Sequence, residues 1–152
     1  MRARGQPQAE RGFVTHRTMA EPRFLDATLD PNGRPPGTSY LGEPRLANSA
    51  PAGMARFSTL RAWLSQSSID DTQAHGERWA AHVNVPLLAI ENSADDAVPQ
   101  PHTGIIFRAA ASADKRMVVI EGASHYYAGQ PQQLEEAVRV CCAWLSERGF
   151  LA

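Results

Sequence analysis

Two short segments of this 152-residue chain carry the residue types that acid–base chemistry needs. One reads Asn92-Ser93-Ala94-Asp95-Asp96-Ala97-Val98-Pro99 and the other Glu121-Gly122-Ala123-Ser124-His125-Tyr126. Each follows a short apolar run, Leu87 to Ile90 in the first case and Met117 to Ile120 in the second. A carboxylate beside an imidazole holds the ring in one tautomer and orientation and leaves its far nitrogen able to take a proton. Asp95 is the candidate acid and His125 the candidate base, with Asp96 a second choice for the acid. Each has a plainer reading alone: Asp95 as a capping or turn carboxylate, His125 as a structural or surface histidine. Their pairing, each just past an apolar run, favours the chemical reading. Ser93 and Ser124 read as turn hydroxyls rather than nucleophiles. Tyr126 and Tyr127 read as loop packing rather than pocket lining.

Other chemistries have less support. His75 and His82 stand two helical turns apart, too far to share an ion, and no His-Glu-x-x-His or paired-cysteine metal motif occurs. No metal site is expected. Gly-x-Gly-x-x-Gly and the phosphate-loop lysine motif are also absent, so no cofactor is expected. Cys141 falls on an apolar helical stripe and reads as core, with Cys142 at its edge. The two cysteines are adjacent, where a disulfide is strained, and no third is available. A reduced, intracellular protein is the expectation.

The elements that must position the two segments follow from the hydrophobic pattern. Val83 to Ile90 reads as a short buried strand and Met117 to Ile120 as another. Between them, His102 to Ala111 carries Ile105, Ile106, Ala109 and Ala110 on one helical face. Pro131 can open a final helix, with Leu134, Ala137, Val138, Cys141, Trp144 and Leu145 as its apolar stripe and Gly149 as its stop. Strand, helix, strand, helix implies α/β architecture with a parallel pair joined by a right-handed crossover. In open sheets of this kind, functional groups gather beyond the carboxyl ends of the strands, where Asp95 and His125 both fall.

Upstream the pattern is looser. Residues 1–21 read as a polar tail made locally basic by Arg2, Arg4, Arg11 and Arg17. Between Pro22 and Gly53 lie six of the eleven prolines and four of the eleven glycines, which fix turns and forbid long helices. Met54, Phe57, Leu60, Trp63 and Leu64 then recur at helical spacing, and a further helix is expected from about Thr72 to Ala81, capped by Asp70 or Asp71. The division that results is a tail (1–21), a Pro-rich and helical cap-like segment (22–81) and an α/β subdomain (82–152). No convincing buried strand precedes Val83. Two strands do not make a stable parallel sheet, so the sheet implied is larger than these residues supply.

Composition bounds the partners. Fifteen basic residues against sixteen acidic ones give a net charge of −1, which argues against nucleic acid or an anionic membrane as partner. The longest apolar stretch, Val85 to Ile90, is far too short to span a bilayer, and the N-terminus lacks the apolar core of a signal peptide. Cytoplasmic is the default expectation.

The Asp-x-x-Val-Pro run at Asp95 to Pro99, and Gly122-Ala123-Ser124-His125 after the next strand, resemble the acid and histidine motifs of the α/β-hydrolases. Their order agrees with that fold, which places serine first, then the acid, then the histidine. The resemblance covers about residues 83–152. By that resemblance Asp95 is the triad acid, His125 the triad base, and residues 22–81 the cap that many members insert before the acid strand. It implies a partial α/β-hydrolase fold acting on a small-molecule ester or other acyl bond. Two positions depart from the pattern. Many members have glycine where this chain has Asn92, although asparagine tolerates left-handed backbone angles and so preserves the turn. More seriously, the Gly-x-Ser-x-Gly nucleophile elbow is absent. Gly37-Thr38-Ser39-Tyr40-Leu41-Gly42 has one residue too many and follows no strand, and the oxyanion-hole segment is missing as well. Two functions therefore compete: the C-terminal part of a hydrolase, inactive alone, or a non-catalytic module binding a partner through an exposed strand edge and apolar cap.

Overall fold

Parallel pairing of two apolar runs sets the frame of the molecule. In the computed structural model, residues 12–14, 22–24, 26, 28, 29, 32–35, 57–68 and 70–151 are described. Their elements, in chain order, are β1 (Gly12–Val14), a 3-10 turn (Pro22–Phe24), β2 (Phe57–Thr59), α1 (Leu60–Ser67), α2 (Gly76–Ala80), β3 (Leu87–Asn92), α3 (His102–Ala109), β4 (Lys115–Ile120) and α4 (Pro131–Ser146). β3 and β4 form a two-stranded parallel sheet in which Leu87 stands opposite Lys115 and Asn92 opposite Ile120. Both strands thus end level, and the two loops that follow start from the same rim. The chain is of mixed α/β class.

Helix α3 makes the crossover, and its end is closed by a neighbour. The last carbonyls of a helix lack intrahelical partners. Lys115 Nζ, at the start of β4, donates to the carbonyls of Phe107 (3.0 Å), Arg108 (3.3 Å) and Ala110 (2.7 Å). A cation there also complements the helix dipole. α4 begins at Pro131, as the sequence predicts. It stops in the expected manner: Phe150 N–H donates to the Leu145 carbonyl and Gly149 N–H to that of Ser146, both at 3.0 Å, with Gly149 at φ +72°. That bond pair needs a left-handed residue, which glycine supplies without a Cβ clash.

The core lies directly under the rim. Ile120 and Ala123 are fully buried against Ala137 of α4, with Ile90, Val118, Tyr127 and Val140 packed around them. Away from this cluster, burial is incomplete. The sequence predicts strands buried on both faces, yet Leu87, Leu88, Ala89 and Ile90 are only half-buried. On α4, Ala137 and Trp144 are buried, whereas Leu134 is 48% and Val138 52% exposed. Among the described residues, β3 and β4 pair only with each other, so neither outer edge gains a further strand.

Upstream the structure departs from the sequence reading in three places. Gly12–Val14, inside the segment expected to be a solvated tail, pairs antiparallel with Phe57–Thr59. Strands of three residues are too short to show a hydrophobic period, and neither joins the parallel sheet. The helix expected from Met54 begins instead at Leu60. Thr59 caps it, accepting the Ala62 N–H on Oγ1 at 3.2 Å, and Phe57 belongs to β2. The helix expected over Thr72 to Ala81 is shortened to Gly76–Ala80. Neither Asp70 nor Asp71 caps it; His75 does, through Nδ1 and the Arg78 N–H. Local side-chain bonds compete with the helix here, since Asp71 accepts the Ser68 hydroxyl (2.9 Å) and Thr72 the Ala74 N–H (3.0 Å). Met54, the near-elbow sequence Gly37 to Gly42 and most of the expected tail lie outside the described residues. No helix among those described is long and apolar enough to cross a membrane.

Candidate functional site

Asp95 and His125 meet at the rim. His125 Nδ1 lies 3.0 Å from Oδ2 of Asp95 and 3.1 Å from its Oδ1. The Asp95 side chain is 11% exposed and that of His125 31%, so the contact is sheltered but not sealed from water. A carboxylate facing Nδ1 requires the neutral ring to carry its proton there, which makes Nε2 the acceptor nitrogen. The ring edge packs against Tyr126 in a T-shaped contact, centroids 4.6 Å apart.

The acid loop orients its own carboxylate. Asp95 Oδ1 accepts the backbone N–H groups of Ala97 and Val98, both at 2.7 Å, which fixes the side chain that meets the imidazole. Capping and imidazole-holding are therefore not alternatives, because the same carboxylate does both. Asp96 turns elsewhere: its Oδ1 accepts the His125 backbone N–H at 3.3 Å. Of the two adjacent aspartates, only Asp95 reaches the ring.

The histidine turn is stitched to the acid loop along its length. Ser93 N–H donates to the Ile120 carbonyl (3.1 Å), and Ala94 N–H to that of Ala123 (3.0 Å). Ser93 Oγ accepts the Gly122 N–H at 2.7 Å. Gly122 itself stands at φ +70°, where a side chain would be strained. Gln130 accepts the Ser124 amide (2.8 Å) and hydroxyl (2.9 Å) on Oε1 and donates from Nε2 to the Gly122 carbonyl (2.7 Å). Ser93 and Ser124 thus act as turn hydroxyls. Tyr127 lies against the core cluster, while Tyr126 is exposed.

Sequence reasoning missed two contributors. Gln130 carried no motif, and its only signal is its place just before the helix-opening Pro131. Asn92 was expected to matter for backbone freedom, but it ends β3 in extended pairing with Ile120. The non-glycine residues with positive φ among those described are Asn32 and Tyr127. What Asn92 contributes is its side-chain amide, donating to the Ser124 carbonyl (3.1 Å) and accepting the Tyr127 hydroxyl (2.8 Å).

The remaining candidates are dispersed. His75 caps α2, and His82 packs on Trp79. Cys141 is half-buried and Cys142 exposed, both as free thiols. Among the described residues no three His, Cys, Asp or Glu side chains are grouped to hold a metal ion. No protein-family model matches the chain, and no curated protein matches it.

Proposed function

We propose that this chain is the C-terminal part of an α/β-hydrolase of esterase or acyl-hydrolase type, holding the triad acid and histidine but not the nucleophile. The observation that carries the reading is the 3.0 Å contact between Asp95 and His125 Nδ1 at the level ends of two adjacent parallel strands. In the complete enzyme a serine Oγ attacks the acyl carbonyl while its proton passes to Nε2 of His125. The imidazolium then delivers that proton to the leaving alcohol or amine, and water repeats the sequence to release the acid. Asp95 holds the ring and stabilises the imidazolium. The sequence carries no Gly-x-Ser-x-Gly elbow to supply that serine, so the chain alone is expected to be inactive toward acyl substrates.

One observation favours a second reading, that of a non-catalytic binding module. Leu134 and Val138 leave an apolar stretch of α4 exposed beside a two-stranded sheet, a surface suited to a protein partner. That reading gives no reason for a carboxylate–imidazole pair at the rim, and the hydrolase reading accounts for both features.

The test uses a serine-directed fluorophosphonate probe. The chain alone stays unlabelled. Translation of the DNA upstream of Met1 in all three frames is expected to give a strand followed by Gly-x-Ser-x-Gly, and the extended product labels at that serine. His125→Ala then slows labelling at least about a thousandfold. Labelling of the isolated chain, or an upstream sequence with no such elbow, overturns the proposal.

A further inference from the structure

We infer that Asn92 is a positioning residue for His125, a bracket that holds the imidazole against Asp95. The inference rests on the proposed role of His125 as general base and adds to it the device that sets the ring's geometry. His125 sits between Ser124 and Tyr127, and the Asn92 amide bonds to both flanks. Its Nδ2 donates to the Ser124 carbonyl at 3.1 Å, and its Oδ1 accepts the Tyr127 hydroxyl at 2.8 Å. A single side chain at the end of β3 thus spans the turn from the residue before His125 to the second residue after it.

The backbone of that turn needs such a hold. Tyr127 stands at φ +55°, a left-handed angle that a bulky residue adopts only when its surroundings over-determine it. Two features fix it there: the hydroxyl bond to Asn92 and the packing of the ring on the Ile120, Ala123 and Ala137 cluster. The Gln130 N–H closes the turn on the Tyr127 carbonyl at 3.0 Å. Glycine at position 92 could make neither amide bond. The bonds of the turn to Gln130, Ser93, Ala94 and Asp96 would remain, and none of these reaches Tyr127's side chain. Since Asp95 is fixed by its own loop through Ala97 and Val98, drift of the histidine turn alone separates ring from carboxylate.

The test is ¹⁵N NMR of the histidine ring in the full 152-residue chain, which distinguishes Nδ1–H from Nε2–H neutral imidazole and needs no catalytic activity. The wild-type chain shows His125 mainly as the Nδ1–H tautomer. Asn92→Gly lowers the ratio of that tautomer to the other roughly fivefold or more, the equivalent of one hydrogen bond lost. Tyr127→Phe, which keeps the ring and removes only the hydroxyl, lowers it by a smaller factor and serves if Asn92→Gly does not fold. A merely structural role would shift the urea midpoint and leave the tautomer ratio unchanged; that result overturns the inference. If Asp95→Asn abolishes the Nδ1–H preference while both bracket variants keep it, the inference fails and the hydrolase reading stands. If the wild-type chain shows no Nδ1–H preference, the proposed acid–base pair itself is refuted.

Discussion

The rim and the flanks of the same parallel pair are built to different degrees. At the rim, the acid and histidine loops are hydrogen-bonded across the gap between them, from Ser93 and Gly122 at the base to Asp95 and His125 at the tip. Along the flanks, the apolar side chains of β3 are only half covered, and Leu134 and Val138 of α4 face outward. The difference teaches that the geometry of the pair is a local property. Hydrogen bonds between two loops starting level on paired strands are directional and short-ranged, and they fix the rim whatever lies beside the sheet. Apolar burial is additive over area, so it needs more elements than these strands and helices supply.

The variant expected to do most damage removes what rim and flanks share. Ile120 is fully buried, ends β4 and packs under the histidine turn. Ile120→Ala loses apolar transfer energy and leaves a cavity, a cost of about 2–5 kcal/mol. Urea unfolding should show that loss, and the ¹⁵N signals of His125 should broaden with it. An unperturbed midpoint would mean that the core does not lie beneath the rim.

Gln130→Ala strikes the rim alone. Three hydrogen bonds, to the Ser124 amide, the Ser124 hydroxyl and the Gly122 carbonyl, are lost together. Because water reaches part of this site, the expected cost is about 1–2 kcal/mol rather than the sum of three bonds. Amide hydrogen exchange locates it: the Ser124 N–H should exchange faster while amides at the start of β4 do not. Uniform acceleration across both strands would contradict the separation of rim from sheet.

The opposite end of the sheet responds to acid. At the foot of β4, Arg148 Nε donates to Asp114 Oδ2 at 2.8 Å and Arg116 Nη2 to Glu147 Oε2 at 2.7 Å, tying the end of α4 to the strand. The hydrogen bond from Arg148 holds the Asp114 carboxyl below its usual range, and that from Arg116 does the same for Glu147. Carboxylates whose folded pKa is depressed stabilise the fold above their unfolded values, near 4, and that contribution fades as pH falls through the lower folded values. Both carboxylates are solvent-exposed, so the effect is small and salt-sensitive. The urea midpoint of wild type should exceed that of an Asp114→Asn, Glu147→Gln variant at pH 7, and the two should converge as pH falls through the lowered folded values. A gap that persists in acid would assign the difference to packing instead of charge.

What could be read from sequence divides along the same line. The two strands, the α4 start at Pro131 and the Gly149 stop were legible because period and punctuation are local signals. The strand expected over Val83 to Ile90 nevertheless forms over Leu87–Asn92, and that expected over Met117 to Ile120 begins at Lys115. The meeting of Asp95 with His125 was legible because it follows from strand order and strand-end position. The Asn92 bracket was not, since it depends on a side chain reaching the far loop and has no local trace. Pairing of Gly12–Val14 with Phe57–Thr59 was hidden for a similar reason: a three-residue contact between distant segments leaves no pattern in either. The shortening of α2 was readable in principle. Ser68, Asp71 and Thr72 are all residues whose side chains compete for backbone and neighbouring groups.

The smallest effect is expected where the flank is barest, and it discriminates between the two halves of the comparison. Leu134 and Val138 lie one turn apart on α4, 48% and 52% exposed, so replacing both by serine removes little buried area from this chain. The urea midpoint should correspond to a change within about 0.5 kcal/mol per site, the ordinary range for surface substitutions. In the upstream-extended product, the same face would be covered by further elements of the proposed fold. The same double substitution there should cost several times more, in the range of about 2–4 kcal/mol, as two half-exposed side chains become fully buried ones. Equal and negligible costs in both contexts would mean that this face stays exposed in the longer chain. Its apolar character would then have to be explained by a separate protein partner, the reading that the rim alone disfavours.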